Sequence, residues 1–260
     1  MCLPAISLCH RELVRFVRQP NRVIGALGTP IVFWLLIGAG VGRSFVGTAG
    51  GASPYIGYFF SGALLMILLF TAIFSTISII EDRREGFLQS VLVSPAPRVA
   101  IVLGKVLGGT LLAAGQGLLF LLLAPLVGIK LSAVSVALAI AMMLLVAFSL
   151  TSLGFACAWR MQSTQGFHAI MNLLLMPLWF LSGALFPPGG AWTPMRYVIA
   201  ANPLSYGLSA LRHAIHWHDS AARSVEPSLA VCVAITALFA AGMFGVACFV
   251  ARASAAENVQ

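Results

Sequence analysis

Charged residues are scarce in this 260-residue chain, since Lys, Arg, Asp and Glu together make up only 8% of it. A typical soluble domain has about 25%. So few charges cannot cover the surface of a water-soluble globule, and hydrophobic residues account for 60% of the sequence. A bilayer must therefore be the solvent for most of the chain. This excludes a soluble enzyme, a disordered tail and a nucleic-acid-binding domain, so we expect no nucleic-acid partner.

The motifs of common enzyme classes are also missing. The chain has no Gly-x-x-x-x-Gly-Lys-Ser/Thr phosphate-binding loop, because Gly104-Lys105 is followed by Val106 and has no glycine at the upstream position. His-Glu-x-x-His and Gly-x-Ser-x-Gly do not occur. The five cysteines lack Cys-x-x-Cys spacing, which argues against a zinc cluster or a disulfide framework. We expect no catalytic residue, no metal and no cofactor on this chain.

Long apolar runs predict an all-α membrane protein with six transmembrane helices. A helix needs about 20 apolar residues to cross about 30 Å of hydrocarbon. Runs of this kind lie at about 23–42, 54–80, 104–127, 132–159, 166–186 and 228–250. We expect residues 1–260 to form one transmembrane domain.

The basic residues are distributed unequally on the two sides of these spans. Six spans place both termini on the same side, and ten of the 15 Lys and Arg residues fall on that side. The net charge of +8 therefore reports topology, and the positive-inside rule places both termini in the cytoplasm.

Residues 4–20 predict an interfacial amphipathic helix before the first span. At 100° per residue, the apolar side chains share one arc and Arg11, Arg15 and Arg18 share another. Such a helix lies on the inner leaflet with its arginines toward anionic lipid headgroups or an acidic partner. The alternative is a basic segment that only sets topology.

A second segment outside the spans lies at about 81–97. The charged run from Glu81 to Glu85 is followed by Gly86 and by apolar residues that form one face of a short helix, which Ser94-Pro95-Ala96-Pro97 should end. A short helix with a charged rim and an apolar face is expected to dock into a partner. The alternative is a charged loop that only anchors two spans.

Residues 193–216 predict two short outer helices before the sixth span. Thr193-Pro194 and Asn202-Pro203 each resemble an N-cap residue followed by proline at the first helical position. The helices should run over about 193–200 and 203–216. We expect a re-entrant pair packed on the outer mouth, because other spans must shelter its backbone ends.

Few polar groups lie within the predicted spans. His168 and Asn172 share one face of the fifth span, where they either pack between helices or line a substrate path. Thr71, Ser75 and Ser78 share a face of the second span and are expected to hydrogen-bond between helices. One outer cluster has metal-ligand residue types, but we interpret it as the polar end of an interfacial helix: His213, His216, His218 and Asp219.

These elements, in this order, resemble the membrane subunit of type-2 ATP-binding-cassette exporters. Short motifs extend the similarity along nearly the whole chain. They are Glu85-Gly86, Val91-Leu92-Val93-Ser94-Pro95, Leu103-Gly104-Lys105, the run from Leu181 to Pro187, the run from Asn202 to Gly207, and Ala210-Leu211-Arg212.

The resemblance implies a permease homodimer in the bacterial inner membrane, bound to two copies of a separate ATPase subunit that holds ATP and Mg²⁺. The segment at 81–97 would be the coupling helix, with the interfacial helix as a second contact. The implied coupling residues are Glu81, Arg84, Glu85, Gly86, Phe87, Leu88, Val91 and Leu92. The outer helices would shape the exit from a path at the dimer interface, and their candidate residues are Pro194, Asn202, Pro203, Tyr206 and Arg212.

The sequence indicates the family more narrowly than it indicates the transported substrate. Short outer loops resemble drug, antibiotic or lipid exporters, including the daunorubicin-resistance kind, and aliphatic spans favour a hydrophobic or amphiphilic substrate. Lipooligosaccharide and polysaccharide exporters share the motifs and are the alternative. A proton- or sodium-coupled transporter is a more distant alternative that needs a titratable group in the spans, for which His168 is the candidate.

Overall fold

The computed structural model describes residues 2–41, 55–93, 96–186, 192–218 and 227–257. Within these ranges the chain is helical and has no strand. The helices are α1 (Cys2–Val17), α2 (Pro20–Val41), α3 (Tyr55–Arg84), α4 (Phe87–Val93), α5 (Arg98–Leu121), α6 (Ala133–Arg160), α7 (Thr164–Phe180), α8 (Thr193–Ala201), α9 (Pro203–Ile215) and α10 (Leu229–Glu257), with a 3₁₀ turn at Ala124–Val127. The predicted all-α class is confirmed for this part of the chain.

Among the described residues, four helices are long and apolar enough to cross a membrane: α3, α5, α6 and α10. With 30 residues, α3 extends for about 45 Å at the helical rise of 1.5 Å per residue. The other two predicted spans coincide with α2, whose apolar part is Val23–Gly38, and with α7, which has 17 residues. The membrane class is confirmed, whereas the count of six spans stays a prediction.

The centre of the bundle is α3, which is buried along most of its length against α2, α5 and α6. A helix that is apolar on all sides is typical of such a position. Glycines on the neighbouring helices permit close contact: a Cβ on Gly117 would lie 2.7 Å from Met143 Sδ, and one on Gly154 would lie 2.9 Å from Thr76 Oγ1. Small residues let helix backbones approach each other in this way.

The polar stripe on α3 sets the register between α3 and α5. Thr71 donates to Gln116 Oε1 at 2.5 Å, and Ser78 accepts from Lys105 Nζ at 3.4 Å. The two helices are therefore antiparallel, so the end of α3 lies beside the start of α5. Ser75, in contrast, donates to Ala72 O of its own helix at 2.7 Å.

The helix α7 ends at Phe180, before the predicted end of the fifth span at 186. Pro177 removes one backbone donor near its end, and Gly183 has a φ of +81°, which belongs to the left-handed region that glycine favours. Tyr58 OH then donates to Gly183 O at 2.8 Å and holds the turn against α3. The helix in this region, Thr164–Phe180, thus ends six residues before the end of the predicted run 166–186.

The helix α9 begins at Pro203, and the re-entrant outer position expected for it stays a prediction. Asn202 Oδ1 accepts from Leu204 N at 3.0 Å and caps the helix, while its Nδ2 donates to Leu178 O at 2.6 Å. Pro203 occupies the first helical position, where it needs no backbone donor. The helix is buried against α6 and α10.

The first outer helix, α8, differs from the prediction in two respects. Its N-cap residue is Trp192 rather than Thr193, no side chain caps it, and Pro194 lies one position further in than expected. None of its residues is buried. Among the described residues, α8 lies on the surface and contacts α9, so the packing of the pair against the spans stays a prediction.

Candidate functional site

The charged run that ends α3 leads directly into the short helix α4. Gly86 adopts a φ of +76°, as expected for glycine just after a helix C-terminus. Its N–H donates to Arg83 O at 3.3 Å. The chain reverses at this point, and α4 packs back against α3.

Asp82 is completely buried and accepts hydrogen bonds from three cations. Arg11 of α1 donates to both of its oxygens, at 3.0 Å to Oδ2 and 2.9 Å to Oδ1. Arg15 binds Oδ1 at 2.5 Å, and Lys105 of α5 binds Oδ2. A buried carboxylate is tolerated when it is paired in this way. Asp82 therefore ties α1 and α5 to the end of α3.

Further ion pairs extend from this centre. Lys105 Nζ lies 2.5 Å from Glu12 Oε1, and both side chains are buried. Arg15 also binds Glu81 at 2.9 Å and the exposed Glu85 at 3.3 Å. The hydrogen bond to Asp82 raises the pKa of the Arg11 guanidinium above its ordinary value. We call this group the charged junction: Arg11, Glu12, Arg15, Glu81, Asp82, Glu85 and Lys105.

Three members of the charged junction were not among the predicted site residues: Glu12, Asp82 and Lys105. A lone glutamate on a basic helix and a lone lysine near the start of a span are common features. The spacing within each helix contains no signal that they meet. Asp82 lay inside the recognised acidic run, but its burial depends on how α1 and α5 cover it.

The arginines of α1 differ in their surroundings. They were expected to face anionic headgroups or an acidic partner. In the structure, Arg11 and Arg15 bind carboxylates of the same chain, so their acidic partner is internal, while Arg18 is exposed. These contacts show that α1 packs against its own chain.

Two glycines allow α1 to lie directly on α5. A Cβ on Gly104 would lie 2.7 Å from Ala5 O, and one on Gly108 would lie 2.8 Å from Glu12 Cβ. The spacing of four residues places both on one face of α5. This close contact is what brings Lys105 within reach of Glu12.

The inward side of α4 is formed by two of the predicted coupling residues. Leu88 is 3% exposed and belongs to the chain's own hydrophobic core. The Phe87 ring lies under Arg11, whose Cζ is 3.6 Å from the ring centroid. In this structure Leu88 packs into the core and the half-buried Phe87 contacts Arg11, so both residues join α4 to its own chain.

The outward side of α4 consists of other residues. Gln89 and Ser90 are exposed, and Val93 is 88% exposed. Val91 is half-buried. The side chain of Leu92 and the predicted helix end at Ser94-Pro95 lie outside the described residues.

The two arginines of the charged run point away from the charged junction. Arg83 donates to Met161 O at 3.2 Å, and Arg84 donates to Gln162 O at 3.1 Å. These carbonyls belong to the link between α6 and α7. The run therefore contacts both sides of the bundle.

The residues of the proposed substrate path, His168 and Asn172, have different surroundings. The His168 ring packs edge-on against Phe74 of α3, with the ring centroids 5.6 Å apart. Asn172 is exposed on the surface of α7. The sequence left two alternatives open for these residues, packing between helices or lining a substrate path. The contact of His168 with Phe74 is a packing contact, whereas Asn172 faces away from its own bundle.

The outer residues gather around the turn after α7. Arg212 is buried, donates to Ser61 Oγ at 3.2 Å and to Gly183 O at 2.8 Å, and lies 4.3 Å from the centroid of the Tyr58 ring. Tyr206 OH donates to Ala200 O at 2.9 Å and thereby links α9 to α8. Pro194 is exposed.

The outer histidines do not converge. His213 is buried, with Nε2 2.7 Å from Pro227 O, whereas His218 is exposed. Asp219 lies outside the described residues. In the part of the chain that the structure covers, no group of three or more His, Cys, Asp or Glu residues could hold a metal ion.

Comparison with known proteins gives two findings. The profile of the family described as "ABC-2 type transporter" matches residues 5–216. A relative from Cyanophora paradoxa, named "Putative transport permease ycf38", is 24% identical over 215 residues, which are 82% of this chain and 74% of the relative. The matched residues include the charged junction and run from α1 through α9.

Proposed function

The chain belongs to the ABC-2 type transporter family, and from this premise we propose that it is the permease subunit of an exporter driven by ATP hydrolysis on a separate subunit. It is a membrane transport subunit, and permeases of this family work with ATP-binding partner subunits. The observation that carries the proposal is the family match across α1, α4 and the outer helices. ATP and Mg²⁺ would bind to the partner, consistent with a sequence that lacks a phosphate-binding loop.

The helix α4 is the proposed contact with the ATPase subunit. Its outward side offers Gln89, Ser90 and the nearly fully exposed Val93. A ligand-driven subunit biases its neighbour only through contacts that differ between its states. Leu88 and Phe87 join α4 to the core and to α1, so a shift of α4 would reach α1, α3 and α5 together.

We place α4 and the charged junction in the cytoplasm, together with both termini. The support is the excess of Lys and Arg on that side of the predicted spans. The proposed location is the bacterial inner membrane, with residues 1–260 forming one transmembrane domain.

The proposed assembly contains two copies of this permease and two ATPase subunits. Asn172 supports a second copy beside α7, because polar side chains at membrane depth normally face protein or a water-filled cavity, and Asn172 is exposed on its own chain. The transport path would then lie between the two α7 helices. His168 packs on Phe74, which favours this ATP-driven assembly over an ion-coupled transporter that titrates His168.

We propose a hydrophobic or amphiphilic cargo such as a drug, an antibiotic or a lipid. Aliphatic residues dominate the outward surface of α7, where Ile170 and Leu173 are 49% and 77% exposed. A long glycan would be expected to need aromatic stacking surfaces. The alternative is export of lipooligosaccharide or polysaccharide, which the reconstitution assay described next would also detect.

Reconstitution of the permease with its ATPase subunit in vesicles tests the proposal. We expect the two chains to purify together and the vesicles to move an amphiphilic dye only when ATP is present, with ATP hydrolysis stimulated by the dye. A lipid-linked oligosaccharide serves as the competing cargo. Transport driven by a proton or sodium gradient without the ATPase subunit would overturn the proposal.

A further inference from the structure

We propose that Arg83 and Arg84 are positioning residues that transmit the movement of α4 to α7 by holding the backbone of the α6–α7 link at residues 161–163. The inference rests on the function proposed above. It concerns a contact on the opposite side of α3 from the charged junction.

The two arginines bind three backbone carbonyls at the end of α6. Arg83 Nη1 donates to Met161 O at 3.2 Å and its Nη2 donates to Trp159 O. Arg84 Nε donates to Gln162 O at 3.1 Å. The Arg83 Cζ also lies 5.6 Å from the centroid of the Trp159 ring. The contact therefore combines hydrogen bonds with a face-on approach to an aromatic ring.

The Trp159 carbonyl needs a partner from outside α6, because the last four carbonyls of a helix have no intrahelical donor and α6 ends at Arg160. The Met161 and Gln162 carbonyls belong to the link that follows α6. A guanidinium presents several N–H groups in one rigid plane, so Arg83 can hold two carbonyls in a defined geometry. A flexible ammonium group would hold them less precisely.

The link is too short to absorb a displacement. Three residues separate Arg160 from Thr164, and they span at most about 11 Å when fully extended. Ser163 already caps α7, with its Oγ accepting from Gly166 N at 3.3 Å. A movement of residues 161–163 must therefore move the start of α7.

The acidic and the basic residues of the charged run contact different parts of the bundle. Its acidic residues, Glu81, Asp82 and Glu85, bind α1 and α5, whereas its basic residues bind the α6–α7 link. The helix α4 begins three residues after Arg84. A shift of α4 would thus act on the helices on both sides of α3. Through Arg83 and Arg84, the shift would reach the α6–α7 link and α7.

A purely structural cap of α6 would use the same hydrogen bonds, so the test must measure movement. Hydrogen exchange is compared in the permease–ATPase complex without nucleotide and after trapping with ATP and vanadate. The variants are the double substitution Arg83→Gln with Arg84→Gln, and the single substitution Arg83→Lys. The matched control is Arg160→Gln, which removes one positive charge from the exposed end of the same helix.

In the unaltered complex, we expect nucleotide to change exchange at residues 87–93 and at 161–170. The double variant should retain the change at 87–93 and lose the change at 161–170. Its transport should fall by about 5- to 150-fold, the usual range of coupling between sites. Arg83→Lys keeps the positive charge but lacks the planar guanidinium with its several N–H donors. This variant should therefore show part of the response at 161–170 that the double variant loses. Arg160→Gln should behave as the unaltered protein.

A nucleotide response at 161–170 that survives in the double variant would overturn the inference, as would an equal loss in Arg160→Gln. If the double variant fails to fold, the test uses the Arg83→Lys variant instead. A change in hydrogen exchange at 161–170 that equals that of the unaltered complex would then overturn the inference. Absence of any response at 87–93 in the unaltered complex would instead contradict the proposed function, so the two failures are distinguishable.

Discussion

Asp82 shows how a single buried residue can organise one end of a helix bundle. Its carboxylate is shared by Arg11, Arg15 and Lys105, which come from two different helices. Removing one member of a buried ion-pair network leaves the charges of the remaining members uncompensated. The consequence is that α1 should detach from α5 when this one side chain loses its charge.

The substitution Asp82→Asn should lower the free energy of unfolding by about 3–5 kcal/mol, the usual cost of breaking a buried ion pair. Thermal unfolding of the purified protein measures it. Glu85→Gln is the control, because Glu85 is largely exposed and its contact with Arg15 is 3.3 Å long. Equal stability of Asp82→Asn and the unaltered chain would contradict the role assigned to Asp82.

Gly104 tests the close contact between α1 and α5. The substitution Gly104→Val should cost about 1–3 kcal/mol through overpacking, since even a Cβ would lie 2.7 Å from Ala5 O. Limited proteolysis at the N-terminus should accelerate as α1 separates. Gly115→Val on the same helix is the control, because a Cβ there meets nothing within 4 Å. Equal proteolysis rates in the two variants would argue against the contact.

At the scale of elements, α4 has two sides with separate tasks. Leu88 belongs to the core, and Val93 faces outward. The spacing in the sequence predicted a short amphipathic helix within 81–97, and the structure has α4 at Phe87–Val93. It could not show that the apolar face is used by the chain itself, because an apolar stripe is compatible with an internal or an external partner.

The two sides of α4 can be separated by matched substitutions. Val93→Asp should abolish the stimulation of ATP hydrolysis by cargo while leaving thermal stability unchanged, since Val93 contacts solvent in the free chain. Leu88→Asp should destabilise the protein by at least about 2–5 kcal/mol, the cost of emptying a buried leucine site. Paired measurements of melting temperature and ATPase stimulation check both. A destabilised Val93→Asp with normal stimulation would reverse this assignment.

At the scale of the whole molecule, the outward faces of the helices decide what the chain contacts. The outward side of α10 is apolar, with Leu238 and Phe249 exposed, as expected for a surface that meets lipid. The outward side of α7 includes the polar Asn172. This difference favours α7 as the surface that meets the second copy.

Cysteine cross-linking in membranes tests the proposed dimer. Leu173→Cys on α7 should give a cross-linked dimer with a short bifunctional thiol reagent, because its neighbour would be the same helix of the second copy. Leu238→Cys on α10 is the control, since the two leucines are 77% and 74% exposed. The unaltered chain, with its five native cysteines, supplies the background. Stronger cross-linking at position 238 would place the interface elsewhere.

The pattern of amino acids alone was enough to assign the membrane class, the helical class and the family resemblance. These follow from local properties: the length of apolar runs, the asparagine that caps a helix, and motifs in a fixed order. Asn202 could be assigned as a cap because cap geometry depends on neighbouring residues alone.

Only the tertiary structure decided which charges meet and which faces stay open. Glu12, Asp82 and Lys105 lie far apart along the chain, and they meet because Gly104 and Gly108 let α1 approach α5. The same packing buried Leu88 and left Val93 exposed. Burial and pairing depend on the positions of several helices at once, and no pattern within one helix contains that information.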